Sequence, residues 1–248
     1  MKTASCSTIK EGPFREVLIC VVEGRSKKTV RAFFDLLGSE RSRALTHVSA
    51  DGAEWIADMV AQRAPDAALC LDPFHVVKWV GDALDTVRRQ VWNDARRAGM
   101  KALASQLKDS RYALWKKPED LTDRQRAKLS PIQSANKPLY RAYLLKEQLR
   151  QVFGPGGAER VHLLDAWLAW ASRSKLHPFI QLARTIRTRR HDIANALTHQ
   201  LTNARVESMN TKIRLLIRRA YGFRSVEALR AIILLCLAGY ARPLPGRT

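Results

Sequence analysis

Residues Leu45–His75 read LTHVSADGAEWIADMVAQRAPDAALCLDPFH, and the reading of this stretch decides the fold. Leu45–Ser49 is a short run that suits a buried strand and stops at Asp51-Gly52, a turn pair. Ala53–Arg63 carries helical periodicity, and Pro65 breaks it. Ala67–Leu71 is a second apolar strand, leading to Asp72-Pro73-Phe74-His75. Upstream, Val17–Val22 (VLICVV) reads as a buried strand closed at Glu23-Gly24-Arg25. Between it and Leu45, Ser26 is placed to cap a helix whose apolar face is Val30, Phe33, Phe34 and Leu37, ending at Gly38. The alternation strand, helix, strand, helix, strand predicts a βαβαβ unit with a parallel sheet. Functional residues gather at the C-terminal strand ends of open α/β sheets, and Asp51 and Asp72 both follow such ends. Each also has a plainer reading: Asp-Gly is a routine turn, and Asp72 with His75 suits a turn that caps the next helix.

From Val76 to about His199 the pattern is helical, with breaks expected at Pro118, Pro131, Pro138, Gly154–Gly157 and Pro178. Trp79, Trp92, Trp115, Trp167 and Trp170 are spaced as core or helix-contact residues, and packing is read as the role of most of them in preference to base stacking. Arg184, Arg187, Arg189 and Arg190 form a basic cluster. A final apolar helix is expected over Val226–Tyr240, too short to span a bilayer and so assigned to the core.

The charge narrows the function. With 43 Lys and Arg against 23 Asp and Glu, the chain carries +20, which calls for a polyanionic partner. The arginines are spread over several helices and no apolar run approaches the ~20 residues of a spanning helix, so the partner is read as nucleic acid and not a membrane. Cys6, Cys20, Cys70 and Cys236 show neither C-x-x-C spacing nor a disulfide pattern. Together with MKTASCSTIKEG, which lacks an apolar signal segment, they lead to an expectation of reduced thiols and a cytoplasmic, nucleoid-associated location.

Asn203–Phe223, NARVESMNTKIRLLIRRAYGF, sets one carboxylate, Glu207, in a strongly basic amphipathic helix. Val206, Met209, Ile213 and Leu216 or Ile217 form its apolar stripe, while Asn203, Glu207, Asn210, Thr211 and Arg214 share a polar face. Arg205, Lys212, Arg214, Arg218 and Arg219 extend the basic cluster of Arg187, Arg189 and Arg190 into a surface suited to tracking phosphates. Two aspartates at strand ends and a later helical glutamate are the ingredients of a two-metal phosphoryl-transfer site, because Mg²⁺ takes hard oxygen ligands.

VSADGAEWIADMVAQRAPDA, LDPFHVVKWVGDALDTVRRQ, SRYALWKKPEDL, RAYLLKEQLRQVF and LTNARVESMNTKIRLLIRRAYGF together resemble the DDE transposases of bacterial insertion sequences of the ISL-three type. The resemblance covers nearly all of the chain from Val17, with the motifs in order. It implies an α/β ribonuclease-H-like core that uses Asp, Asp and Glu with Mg²⁺ or Mn²⁺ to cut and join DNA ends. The core would occupy residues 17–75, interrupted by an all-helical insertion over 76–200, with the core helices of 201–241 carrying Glu207 as third carboxylate. The second carboxylate is Asp51 by strand order or Asp72 by a plainer alignment. His75, Asn203 and Asn210 would be auxiliary residues.

One departure from the family pattern stands out. The first catalytic Asp is expected on an earlier strand, yet no Asp precedes Asp35. The expectation is therefore a C-terminal part of a transposase, its core partial with the first strands missing, its metal weakly held, and the chain inactive alone. The implied partners are transposon ends and target DNA, with a homo-oligomer or a full-length transposase as a protein partner. The rival expectation is a DNA-binding or inhibitory fragment without catalysis.

Overall fold

The computed structural model describes residues 26–201 and 204–237. The expected strand Val17–Val22, Asn203 and the end of the helix expected to reach Tyr240 lie outside the described residues. The described chain falls into two compact units, residues 26–69 with 204–237, and Cys70–Leu201.

In the first unit, α1 (Lys27–Leu37) begins where the Ser26 hydroxyl accepts from the Thr29 amide at 3.3 Å. It ends at Gly38, whose φ of +83° is a conformation that side-chain-bearing residues rarely adopt. A short α2 (Ser39–Arg43), which the sequence pattern does not predict, follows directly. It is held by the Ser42 hydroxyl donating to the Gly38 carbonyl at 2.6 Å. Next come β1 (His47–Ala50), α3 (Glu54–Arg63) and β2 (Ala68–Leu71). β1 pairs with β2, and the helical crossover between them makes a βαβ unit. The two strands form the whole sheet among the described residues. Phe34, Met59, Val60 and Ala64 make the buried cluster, with Val30, Phe33, Leu45, Val48 and Leu69 against it. Those α1 positions are the face predicted from periodicity.

The same unit contains α12 (Ala204–Arg219) and α13 (Val226–Leu237), which pack together. Ile213, Leu229 and Ile233 are buried between them, with Met209, Ile217, Phe223 and Leu237 alongside. The expected stripe of α12 is thus observed at Met209, Ile213 and Ile217. The expectation of a core helix at the C-terminus holds for one face only. Leu234 and Leu235 of α13 are exposed.

The second unit is all-helical after the end of β2. Its axis is α4 (Pro73–Arg97), 25 residues capped by Asp72, with Pro73 in the first turn where its missing N–H costs nothing. Val76, Val80, Leu84 and Val87 recur at helical spacing and are buried. Around this stripe pack α5 (Lys101–Asp109), α8 (Lys137–Val152) and α10 (His177–Thr188). The short α6 (Arg111–Trp115), α7 (Asp123–Ala135), α9 (Val161–Ser172) and α11 (Arg190–His199) complete the unit.

The breaks expected at Pro118, Pro138 and Pro178 are present, and only Pro131 departs from the expectation. Pro138 and Pro178 open α8 and α10, because proline's fixed φ suits a first helical turn. Pro131 does not break the chain: it lies inside α7, which a capping box of Thr122 and Gln125 starts and the burial of Ile132 holds through the lost hydrogen bond. Gly154–Gly157 does form a loop. At Gly156 the φ of +136° is a conformation that side-chain-bearing residues rarely adopt, which favours glycine there.

The tryptophans divide. Trp167 is fully buried and its indole N–H donates to the Leu145 carbonyl at 2.8 Å, while Trp79, Trp92 and Trp170 pack on the core margin. Trp115 stands exposed. Replacing Trp167 by Ala is expected to destabilise the protein by about 3–5 kcal/mol, through lost burial and the cavity left behind. Urea unfolding followed by circular dichroism measures it, with Trp115→Ala, expected to change stability by less than ~0.5 kcal/mol, as the control.

Candidate functional site

Asp51 follows β1, and its Oδ1 accepts from the Ala53 amide at 3.4 Å in an Asx turn at Asp51-Gly52. The backbone closes the same turn, the Ala53 amide donating to the Asp51 carbonyl at 2.8 Å.

Asp72 follows β2 and is almost wholly buried. Its Oδ1 accepts from the Phe74 amide at 3.3 Å as the α4 N-cap, and its Oδ2 lies 3.3 Å from His75 Nδ1. A carboxylate at a helix N-terminus is stabilised by the amides and the helix dipole it faces. The capping role read from Asp72 and His75 is therefore present. Asp51 belongs to one unit and Asp72 to the other.

Glu207 lies on α12, but its side chain, like that of Arg205, is outside the described part. One turn later, Asn210 Oδ1 is buried without a hydrogen-bond partner among the described residues. An orphaned buried oxygen is costly unless something else meets it. Carboxylates at Asp51 and Glu207 with this amide oxygen are all hard oxygen donors, the chemistry that Mg²⁺ or Mn²⁺ prefers. Among the described residues no three His, Cys, Asp or Glu side chains gather as metal ligands.

The cations sort into two groups. Arg190 makes a bidentate pair with Asp165 at 2.6 and 2.7 Å, and Arg189 stands 3.7 Å from Asp192. Arg187 donates to the Ser172 hydroxyl at 3.0 Å and stays exposed. On α12, by contrast, Lys212, Arg214, Arg218 and Arg219 are all exposed and form no ion pair with any described residue. Such cations are available to phosphates without first breaking an internal pairing.

Two residues that the sequence reading did not single out flank the end of β2. Phe74 is 59% exposed beside Asp72, its ring edge-to-face with His75 at 6.3 Å. An aromatic in a helix's first turn reads as core by pattern, so no local signal marks it. Asp192 on α11 is the other. Burial pushes its carboxyl above the usual range against the opposing pull of Arg189 and His191, and its charge reaches the Cys70 thiol.

Residues 2–233 match the family model of ISL3-type DDE transposases, described as transposase, and the chain belongs to that family. It is 50% identical over 249 residues to the transposase for insertion sequence element IS1557 of Mycobacterium tuberculosis, in the strains CDC 1551 and H37Rv. That alignment covers 93% of this chain and 56% of the relative. It is 28% identical over 240 residues to the transposase for IS1001 of Bordetella parapertussis, covering 95% of this chain and 58% of the relative. The chain thus spans little more than half the length of these relatives. No solved structure matches it. No helix among the described residues is long and apolar enough to cross a membrane.

A chemical prediction follows from Cys70. Burial, with a further contribution from Asp192, pushes its thiol up to about 11, whereas Cys236 is exposed. Alkylation needs the thiolate and access to it. Iodoacetamide at pH 8 is expected to label Cys236 and spare Cys70 until the chain is unfolded, as read by peptide mass spectrometry.

Proposed function

We propose that this chain is the part of an insertion-sequence transposase that holds DNA and supplies carboxylates for Mg²⁺- or Mn²⁺-dependent cleavage and strand transfer. The observation that carries the proposal is the family match over residues 2–233, joined to a charge of +20. The partner is DNA, both transposon ends and target, and the place of action is the nucleoid in the cytoplasm. A ribonuclease-H-like core accounts for a βαβ unit with Asp51 at a strand end, and for Glu207 on a later helix.

In this reading Asp51 and Glu207 would hold the ion, and the amide oxygen of Asn210, which meets no hydrogen-bond partner among the described residues, would offer a further hard donor. When bound, the ion would supply Lewis acidity at the scissile phosphate. The residues of the chain do the rest. Lys212, Arg214, Arg218 and Arg219 grip the backbone near the cut, and His75, fixed against Asp72, orients that carboxylate.

A second reading, DNA binding without cleavage, alone or paired with a longer transposase, is favoured by one sequence observation. The charge of +20 suffices for it, since gripping phosphates needs cations and no metal-binding carboxylate. A strand-transfer assay with Mg²⁺ or Mn²⁺ on DNA bearing the element's ends separates the two readings. Joining that Glu207→Ala abolishes supports catalysis by this chain, and retained binding without joining supports the second reading.

The cation pattern yields its own expectation. Arg214→Glu with Arg218→Glu should weaken DNA binding strongly and flatten its salt dependence, by a slope of about 0.9 for each phosphate that is no longer neutralised. Arg190→Ala, which removes a cation already paired with Asp165, should change the slope little. Fluorescence anisotropy across a salt series measures both. Equal effects from the two sets of changes would remove α12 as the phosphate-gripping helix.

A further inference from the structure

Tyr112 and Trp115 are 66% and 43% exposed, an unusual position for two of the chain's large aromatics. They stand three residues apart on α6 and so share a face, their rings edge-to-face with centroids 6.3 Å apart. The Arg111 guanidinium lies over the Trp115 ring at 4.3 Å and within 6.0 Å of the Tyr112 ring.

This exposure is not fraying. On the opposite face of α6, Ala113 and Leu114 are buried. The buried ammonium of Lys146 donates to the carbonyls of Leu114 and Lys116, both at 3.0 Å, and ties down the C-terminal end of the helix. Lys146 is itself paired with Glu147. A lysine spent in this way makes the short helix a fixed mount for the two rings.

The charges in sequence around the rings are mixed with cations in excess: Asp109, Glu119 and Asp120 are exposed in the same stretch, and Glu119 is already taken by Arg150. Lys108, Lys116 and Lys117 are exposed, as is Arg89 on α4. Asp85, the carboxylate nearest Arg111, is largely buried and already shared among Arg88, Arg89 and Arg111. Exposed rings amid an excess of cations are complementary to a polyanion that also offers flat aromatic faces. A paired duplex hides the faces of its bases, and unpaired nucleotides present them.

We propose that Tyr112 and Trp115, with Arg111, form a stacking platform for unpaired nucleotides of the bound DNA. The inference rests on the DNA-binding reading above and adds to it the form of DNA that this face takes. Stacking on aromatic rings tolerates any base, so the platform selects unpaired strand over duplex without selecting sequence.

The test compares two labelled probes of the same length, a fully paired duplex and the same duplex with four central unpaired nucleotides, by fluorescence anisotropy. Wild-type protein is expected to prefer the looped probe. Trp115→Ala and Tyr112→Ala should each lower affinity for the looped probe about tenfold while leaving duplex binding unchanged, and Trp115→Phe should keep most of it. Both side chains are exposed, so an unchanged urea midpoint will show that the variants fold. Equal binding of both probes by wild type, or equal loss on both probes in the Ala variants, overturns the platform. So does a case in which the variants lose self-association and keep DNA binding, since the rings would then serve a protein interface. Failure of wild-type protein to bind either probe at low salt would fall first on the DNA-binding reading, and the platform would go with it.

Discussion

A helix of 25 residues with an apolar stripe along its length cannot stand in water, and the second unit is what covers that stripe. Val76, Val80, Leu84 and Val87 each bury a side chain worth about 1.5–3 kcal/mol relative to exposure. The helix can begin where it does because Asp72 caps it and Pro73 starts it. The residue best placed to mark a strand end is also the residue that launches the central helix. That double duty explains why Asp72 is buried and why its two oxygens are engaged with Phe74 and His75.

Charge is distributed by the same logic of prior engagement. An arginine beside a carboxylate on a neighbouring helix has already exchanged its water for a partner, as Arg190 has with Asp165. Lys212, Arg214, Arg218 and Arg219 of α12 have made no such exchange with any described residue, and they line the helix that carries Glu207. Lys146 shows the opposite extreme. Burial lowers the proton affinity of its ammonium, and Glu147 and two carbonyls hold the charge in place. It acts as a structural pin, and the helix it pins carries the exposed rings of Tyr112 and Trp115.

The chain belongs to the transposase family over residues 2–233 and spans little more than half of the relatives it matches. Cleavage and strand transfer are thus activities proposed for these residues. The amide oxygen of Asn210, one turn from Glu207 and without a partner among the described residues, is the local feature that most invites a ligand.

Local grammar was legible in the residues. Ser26 and Gly38 bracket α1, the spacing of Phe34 and Leu37 names its buried face, and Met209, Ile213 and Ile217 name that of α12. Capping, glycine's positive φ and helical period act within a few residues, so the sequence by itself determined them. What lay beyond that range was decided by tertiary packing. Pro131 sits inside a helix because the burial of Ile132 outweighs one lost hydrogen bond. Trp167 is buried and Trp115 is not, although the two look alike in a helical pattern, because only Trp167 meets the Leu145 carbonyl within the packed helices. Arg190 is committed because Asp165, 25 residues away in sequence, folds against it, whereas Arg214 meets no carboxylate among the described residues. Partners distant in sequence leave no trace in local periodicity, and only the folded chain could bring them together.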